Sequence, residues 1–210
     1  MKENSADKAE NYIIGIDQST QGTKALLFDS QGELLARADL SHRQLIDERG
    51  WVEHDPEEFY ANVIQTVKNV IEKAGVDKNK VAGVGISNQR ETARDRTGKP
   101  VYNAVVWQCV RGEAICERIK DAGDMIKERT GLQLSPYFSA AKIAWILENV
   151  EGARSLAQEG RLCYGTVDSF LVYRLTGGKV YQTDFSNASR TQLFNIRTLS
   201  WDKKICDILG

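Results

Sequence analysis

The apolar run from Tyr12 to Ile16 ends on Asp17 and opens into Gln18-Ser19-Thr20-Gln21-Gly22-Thr23, so a carboxylate, hydroxyls and backbone N–H groups converge at one strand end. Such a convergence suits a phosphate and a magnesium ion. Asp at a strand end also makes simple Asx-turns, which need no ligand. Lys24, just past the loop, brings a charge that could neutralise a phosphate, as could any surface lysine. A second polar cluster, Ser87-Asn88-Gln89-Arg90-Glu91-Thr92, follows another apolar run, where α/β sheets present groups to ligands. Arg90 offers several donors and Glu91 only acceptors, a pairing that matches a polyol, though a solvated turn closed by an ion pair would use the same residues. Adjacent strand residues point to opposite faces, so both reach one ligand only where the backbone turns. Trp107-Gln108 closes a third run and Pro136-Tyr137-Phe138-Ser139 leads into a helix. Aromatics there serve a core, or the apolar wall that a small polyol needs against its carbons.

Strands and helices must position these groups. Tyr12–Ile16, Ala25–Phe28 and Glu33–Leu40, separated by turn formers, predict an antiparallel meander. Asp55 can cap a helix whose first position is Pro56 and whose first turn holds Glu57 and Glu58. Phe59, Val63, Ile64, Val67, Val70 and Ile71 then recur at helical spacing up to Gly75. Val81–Ser87 predicts a buried strand beside the meander, and Pro100–Trp107 another strand. Helices are predicted at Gly112–Ala122, Met125–Thr130, Ser139–Val150 and Val167–Leu175, with a strand at Leu162–Tyr164 and a last amphipathic helix starting near Trp201-Asp202. Thr183–Arg190 is polar beside a strand and reads as a cap or interdomain contact. No repeat or linker interrupts the pattern, which favours one α/β domain behind a polar tail at residues 1–11.

The 210 residues are 41% apolar and 27% charged with three prolines, a composition that builds a core rather than a disordered chain. A net charge of −1 gives no overall field toward nucleic acid or an anionic membrane. Cys109, Cys116, Cys163 and Cys206 form no C-x-x-C pair, and His42 and His54 stand apart, which argues against zinc and against a disulfide framework. Without an apolar leader or an 18-residue apolar run, the expectation is a reduced, cytoplasmic protein with neither nucleic acid nor membrane as a partner.

Taken together, Gly15-Ile16-Asp17-Gln18-Ser19-Thr20, Gly50-Trp51-Val52-Glu53-His54-Asp55-Pro56, Gly85 to Thr92, Asn103 to Cys109, Pro136 to Ser139 and Asp184 to Arg190 resemble the FGGY carbohydrate kinases, within them the branch that phosphorylates glycerol. The resemblance runs from about Tyr12 to the C-terminus and implies an α/β fold of the actin-like, ribonuclease-H-like kind, a mixed sheet flanked by helices, over 12–210. It implies ATP and magnesium as cofactors, with Asp17 near the metal and Thr20, Gln21 and Lys24 around phosphate. Arg90, Glu91 and Tyr137 would bind glycerol hydroxyls and Trp107 would pack on its carbons. Homo-oligomers are a further implication.

Departures from the family pattern sharpen these expectations. Gln21 and Lys24 stand where glycerol-phosphorylating members usually have Thr and Arg, replacing a bidentate fork by a point charge. After Thr92 the family's longer apolar strand is shortened to Ala93-Arg94-Asp95-Arg96, which predicts a lost apolar stripe and a disturbed register. The catalytic aspartate and adenine pocket belong to a second domain downstream, so the chain reads as the first half of a kinase, inactive alone. The alternatives are an actin-like binding or assembly module without chemistry, and a kinase of another polyol or a ketose. A ribonuclease-H-type nuclease would need several carboxylates around Asp17, and no strand supplies a convincing second.

Overall fold

The structure is a computed structural model that describes residues 11–88 and 92–210. Along the chain come β1 (Tyr12–Gln18), β2 (Gly22–Phe28), β3 (Leu34–Ser41), β4 (Leu45–Ile46), β5 (Val52–His54), α1 (Pro56–Ala74) and β6 (Val81–Asn88). Then follow β7 (Thr92–Asp95), β8 (Pro100–Tyr102), β9 (Ala104–Val105), α2 (Glu113–Arg118), α3 (Gly123–Thr130), α4 (Ser139–Asn149) and α5 (Ala153–Gln158). β10 (Leu162–Gly165), α6 (Val167–Leu175), α7 (Phe185–Ser189), β11 (Phe194–Asn195), β12 (Ser200–Trp201) and α8 (Lys203–Leu209) complete it. Contacts divide the chain into two compact units. One holds the chain up to His42 and Glu58–Asn88; the other holds Arg43–Glu57 and the chain from Thr92 to Gly210.

The first unit is a four-stranded mixed sheet of order β3-β2-β1-β6, antiparallel across the meander and parallel between β1 and β6. Alternation sorts its side chains: Ile14, Ile16, Ala25 and Leu27 are buried, while Ile13, Leu26 and Phe28 on the other face are not. α1 begins as its sequence demands, with Asp55 Oδ1 accepting from the Glu57 N–H at 2.8 Å. Its buried stripe is Phe59, Val63, Thr66 and Val70. Asn62 and Lys73 donate to the carbonyls of Ser41 and Arg37. β6 departs from expectation. It pairs with β1 alone and leaves Val84 51% exposed, so the Val81–Ser87 run is an edge strand among the described residues, not a buried one.

In the second unit, short sheets β10-β7-β8 and β4-β5-β9 stand among helices. Two apolar clusters hold it: Ile115, Ile119, Ile126, Ala144 and Ile205 in one, and Ala93, Val105, Cys109 and Ile146 in the other. The shortened segment keeps its strand: β7 pairs with β8 on one side and β10 on the other, and Ala93 is fully buried, but the β7–β8 register shifts between Ala93 and Arg94, the disturbance the shortening predicts. Arg94 takes the opposite face, stacked on Tyr173 and Tyr181 at 3.6 and 4.3 Å, so aromatic faces hold a cation in place of the lost apolar stripe. The hairpin after it closes on Asp95, whose Oδ1 accepts from Thr97 N (2.8 Å), Thr97 Oγ1 (2.6 Å) and Lys99 N (3.1 Å), with Gly98 at φ 93°. Two other expectations shift. The Pro100–Trp107 run breaks into β8 and β9, and Gly112–Ala122 divides into α2 and flanking 3₁₀ turns.

Candidate functional site

The strand register of the first unit places its charged groups. Asp17 is the cross-strand partner of Lys24, and Lys24 Nζ lies 2.8 Å from Asp17 Oδ2, the side chains 34% and 40% exposed for Lys24 and Asp17 respectively. The parallel neighbour of Asp17 is Ser87, also exposed. Between β1 and β2 the chain reverses in a tight turn, with Ser19 N and Oγ both donating to the Gly22 carbonyl at 3.0 Å. Thr20, half-buried, and Gln21, exposed, sit at its tip. Gly22 is required there: a Cβ would lie 2.5 Å from the Leu40 carbonyl oxygen. Buried polar groups brace the turn from below, Thr23 Oγ1 donating to Gln18 Oε1 at 2.7 Å while the Gln18 amide meets the His42 ring. Asp17 is the single carboxylate of this turn, and the described residues contain no group of three or more His, Cys, Asp or Glu able to hold a metal by themselves.

In the second unit Trp107 and Tyr137 come together, ring centroids 5.3 Å apart and tilted by 58°, both half-buried. Trp107 does not end a strand. It lies in a turn after β9, closed by Cys109 N donating to the Val106 carbonyl at 3.0 Å, and so stands on a loop. Tyr137 abuts Phe138 edge-on at 5.0 Å. A residue that sequence reasoning missed fixes its backbone: Lys142, fully buried, donates its ammonium to the carbonyls of Pro136 (2.6 Å), Tyr137 (3.1 Å) and Phe138 (3.3 Å). Glu53 and Arg111 were missed as well. Arg111 Nη2 stands 2.6 Å from Glu53 Oε1, with the arginine side chain wholly buried. The GWVEHDP segment and a lone buried-strand glutamate were visible signals, but burial of their charges was not.

Arg90 and Glu91 lie outside the described residues. The polar Thr183–Arg190 segment does supply a cap, Asp184 accepting from Asn187 N at the start of α7. A cavity of about 600 Å³ adjoins this segment rather than Trp107 and is walled by Tyr181, Phe185, Phe194 and Trp201. Its tyrosine is a poor acid: burial, the chief cause, pushes the Tyr181 hydroxyl up to about 12.

The first unit thus carries a mixed sheet whose first strand ends on a carboxylate beside a glycine turn, and the second carries an aromatic pair on a loop. Residues 12–210 match the FGGY family of carbohydrate kinases, N-terminal domain, and the chain belongs to that family. Among curated relatives, glycerol kinase 1 of Thermotoga maritima is 51% identical over 202 residues, 94% of this chain and 41% of the relative. Glycerol kinase of Caldanaerobacter subterraneus is 48% identical over 95% of this chain and 41% of its own length. Among solved structures, Plasmodium falciparum glycerol kinase with ADP superposes with TM-score 0.86 at 36% identity, covering 95% of this chain and 41% of that one. Gluconate kinase from Lactobacillus acidophilus gives 0.82 at 25% identity, covering 95% and 40%. The chain thus spans about two fifths of the length of the relatives it matches, and these actin-like neighbours share its α/β architecture.

Proposed function

We propose that this chain is the polyol-binding, N-terminal part of an ATP-dependent glycerol kinase. The observation that carries the reading is its 51% identity to a glycerol kinase over nearly the whole chain; among solved structures the identity is 36% to a glycerol kinase and 25% to a gluconate kinase of the same fold. In this reading Trp107 lies against the glycerol carbons and Tyr137 beside a hydroxyl, with Arg90 and Glu91 orienting the others. The half-buried Trp107–Tyr137 pair supports it, since an indole and a phenol 5.3 Å apart match the carbons and hydroxyls of a three-carbon alcohol.

Phosphates of ATP would meet the β1–β2 turn, with Thr20, Gln21 and Lys24 around them. One exposed carboxylate fits magnesium that arrives on a nucleotide, because Mg²⁺ takes one or two carboxylates and keeps phosphate and water as its other ligands. When bound, the ion neutralises phosphate charge. Asp17 would hold it, and Lys24, freed from Asp17, would turn to a phosphate oxygen.

Phosphoryl transfer draws on positioning and charge neutralisation from both sides of a cleft. The family resemblance assigns the base to a second domain, and a missing base alone costs about 10² to 10⁴ in rate. A polypeptide of these 210 residues is expected to bind without turning over; glycerol-dependent ADP release, from chain purified free of host kinase, would refute this. Calorimetric titration tests the substrate. Glycerol should bind the wild type, and Glu91→Ala should weaken it by about tenfold to a hundredfold, the worth of a charge-assisted hydrogen bond. Equal affinities would remove Glu91 from the site. Binding of a ketose but not glycerol would move the reading to another acceptor.

A further inference from the structure

The loop that carries Trp107 is held at both ends by one carboxylate. Before Trp107, Tyr102 Oη and Asn103 Nδ2 each donate to Glu53, at 2.7 Å, to Oε1 and Oε2 respectively. After it, Arg111 Nη2 approaches Oε1 to 2.6 Å, an ion pair short in distance but off the hydrogen-bonding line. Arg111 closes the remaining gaps: Nε donates to Cys109 Sγ at 3.1 Å and Nη1 to Tyr102 Oη at 3.2 Å. Its guanidinium lies 4.5 Å from the Trp51 ring and 4.6 Å from Trp145. The backbone adds the β5–β9 pairing of Glu53 with Val105 and the Val106 N–H to Val52 carbonyl bond at 3.1 Å. Burial opposes the arginine's charge, yet its contacts with Cys109 and Glu53 outweigh that and raise its pKa.

We infer that Glu53 and Arg111 are positioning residues: a buried ion pair that fixes the turn from Tyr102 to Arg111 and thereby the orientation of the Trp107 ring toward the polyol. A pair wanted only for stability is a poor investment in a protein interior, because apolar residues of similar volume do as well or better. What an apolar pair does not supply is a set of directed bonds reaching both flanks of one loop. Tyr102, Asn103, Cys109 and Arg111 bracket Trp107 on either side, and every one of them reaches Glu53 or Arg111. The geometry therefore restrains a ring that would otherwise swing with its loop. The role in polyol binding rests on the proposed function; the restraint on Trp107 does not.

The experiment separates the two. The 210-residue chain is labelled with 5-fluorotryptophan, and its four tryptophan resonances are assigned by Trp→Phe substitution. In Glu53→Gln the Trp107 resonance should shift and broaden, while Trp201, in β12 and away from the clamp, stays put. Because Glu53→Gln strands a buried cation and can unfold the chain, the double variant Glu53→Met/Arg111→Met removes both charges and should fold with little loss of stability. In that folded variant the Trp107 resonance should still broaden, and glycerol affinity, read by calorimetry, should fall about tenfold, the equivalent of about 1.4 kcal/mol. A sharp, unshifted Trp107 resonance in the folded double variant overturns the clamp. Wild-type affinity retained there overturns its part in binding. If wild type shows no glycerol binding at all, the substrate reading fails and the fluorine spectrum alone decides the restraint.

Discussion

Lys142→Met should cost the chain more than its conservative size suggests. Methionine keeps the unbranched stem of a fully buried side chain but removes the ammonium that three carbonyls share. The Phe138 carbonyl retains a partner, since as the N-cap of α4 it accepts the first intrahelical bond. The Pro136 and Tyr137 carbonyls, both part-buried, lose the donor the ammonium gave them, and a buried acceptor that loses its donor costs about 1–3 kcal/mol, less where water reaches it. Solvent offsets part of that loss, and removing the charge also removes its own desolvation penalty, so the net loss is about 1–3 kcal/mol. For a chain of this length that corresponds to roughly 2–12 °C in Tm. Urea denaturation followed by tryptophan fluorescence would read it as a lowered midpoint with an unchanged m-value. A midpoint within error of wild type would mean that water or backbone adjustment satisfies the carbonyls without the lysine, and the account of how Tyr137 is held would fall with it.

Two further outcomes follow from other buried contacts. Burial works against ionising Asp202, but Arg129 (2.8 Å), Asn195 (2.9 Å) and the N-cap bond from Ile205 N outweigh it and hold its pKa below the ordinary 3.8. A depressed folded-state pKa gives stability that is complete above the unfolded value and is lost as pH falls through the folded one. Asp202→Asn should therefore be less stable at neutral pH and lose less between about pH 4 and pH 2, which thermal melts across that range would check; parallel losses in both proteins would rule the contribution out. Gly22→Ala drives a Cβ to 2.5 Å from the Leu40 carbonyl oxygen and should cost about 1–3 kcal/mol in the same urea assay. An unaltered midpoint there would show that β3 can yield.

Local chemistry made some elements legible before any coordinates. Asp55-Pro56 announces α1 and Gly75, at φ 65°, ends it, because capping and chirality act on neighbours along the chain. α6 falls at Val167–Leu175 as its apolar spacing requires. Tertiary partners made others illegible. The run at β6 reads as buried by composition, yet only β1 pairs with it, and no local residue reports what covers a sheet face. The shortened segment after Thr92 keeps Ala93 alone of an apolar stripe and carries a register irregularity at Ala93/Arg94, as expected; what the sequence hides is that its arginine finds two tyrosines far along the chain. For the same reason Lys142, Glu53 and Arg111 pass as surface charges until the chain folds. The aromatic pair Trp107 and Tyr137 was legible as chemistry, its loop setting was not, and Arg90 and Glu91 remain a reading of the sequence.

The Asp17–Lys24 pair carries a consequence for arrival rather than for binding. With anion and cation 2.8 Å apart, the mouth of the β1–β2 turn is a short dipole instead of a positive basin, and its field dies away within a few ångströms of the surface. A triply or quadruply charged molecule drifting toward it is not drawn in from afar, so the speed of encounter at this turn should change little as ionic strength is varied.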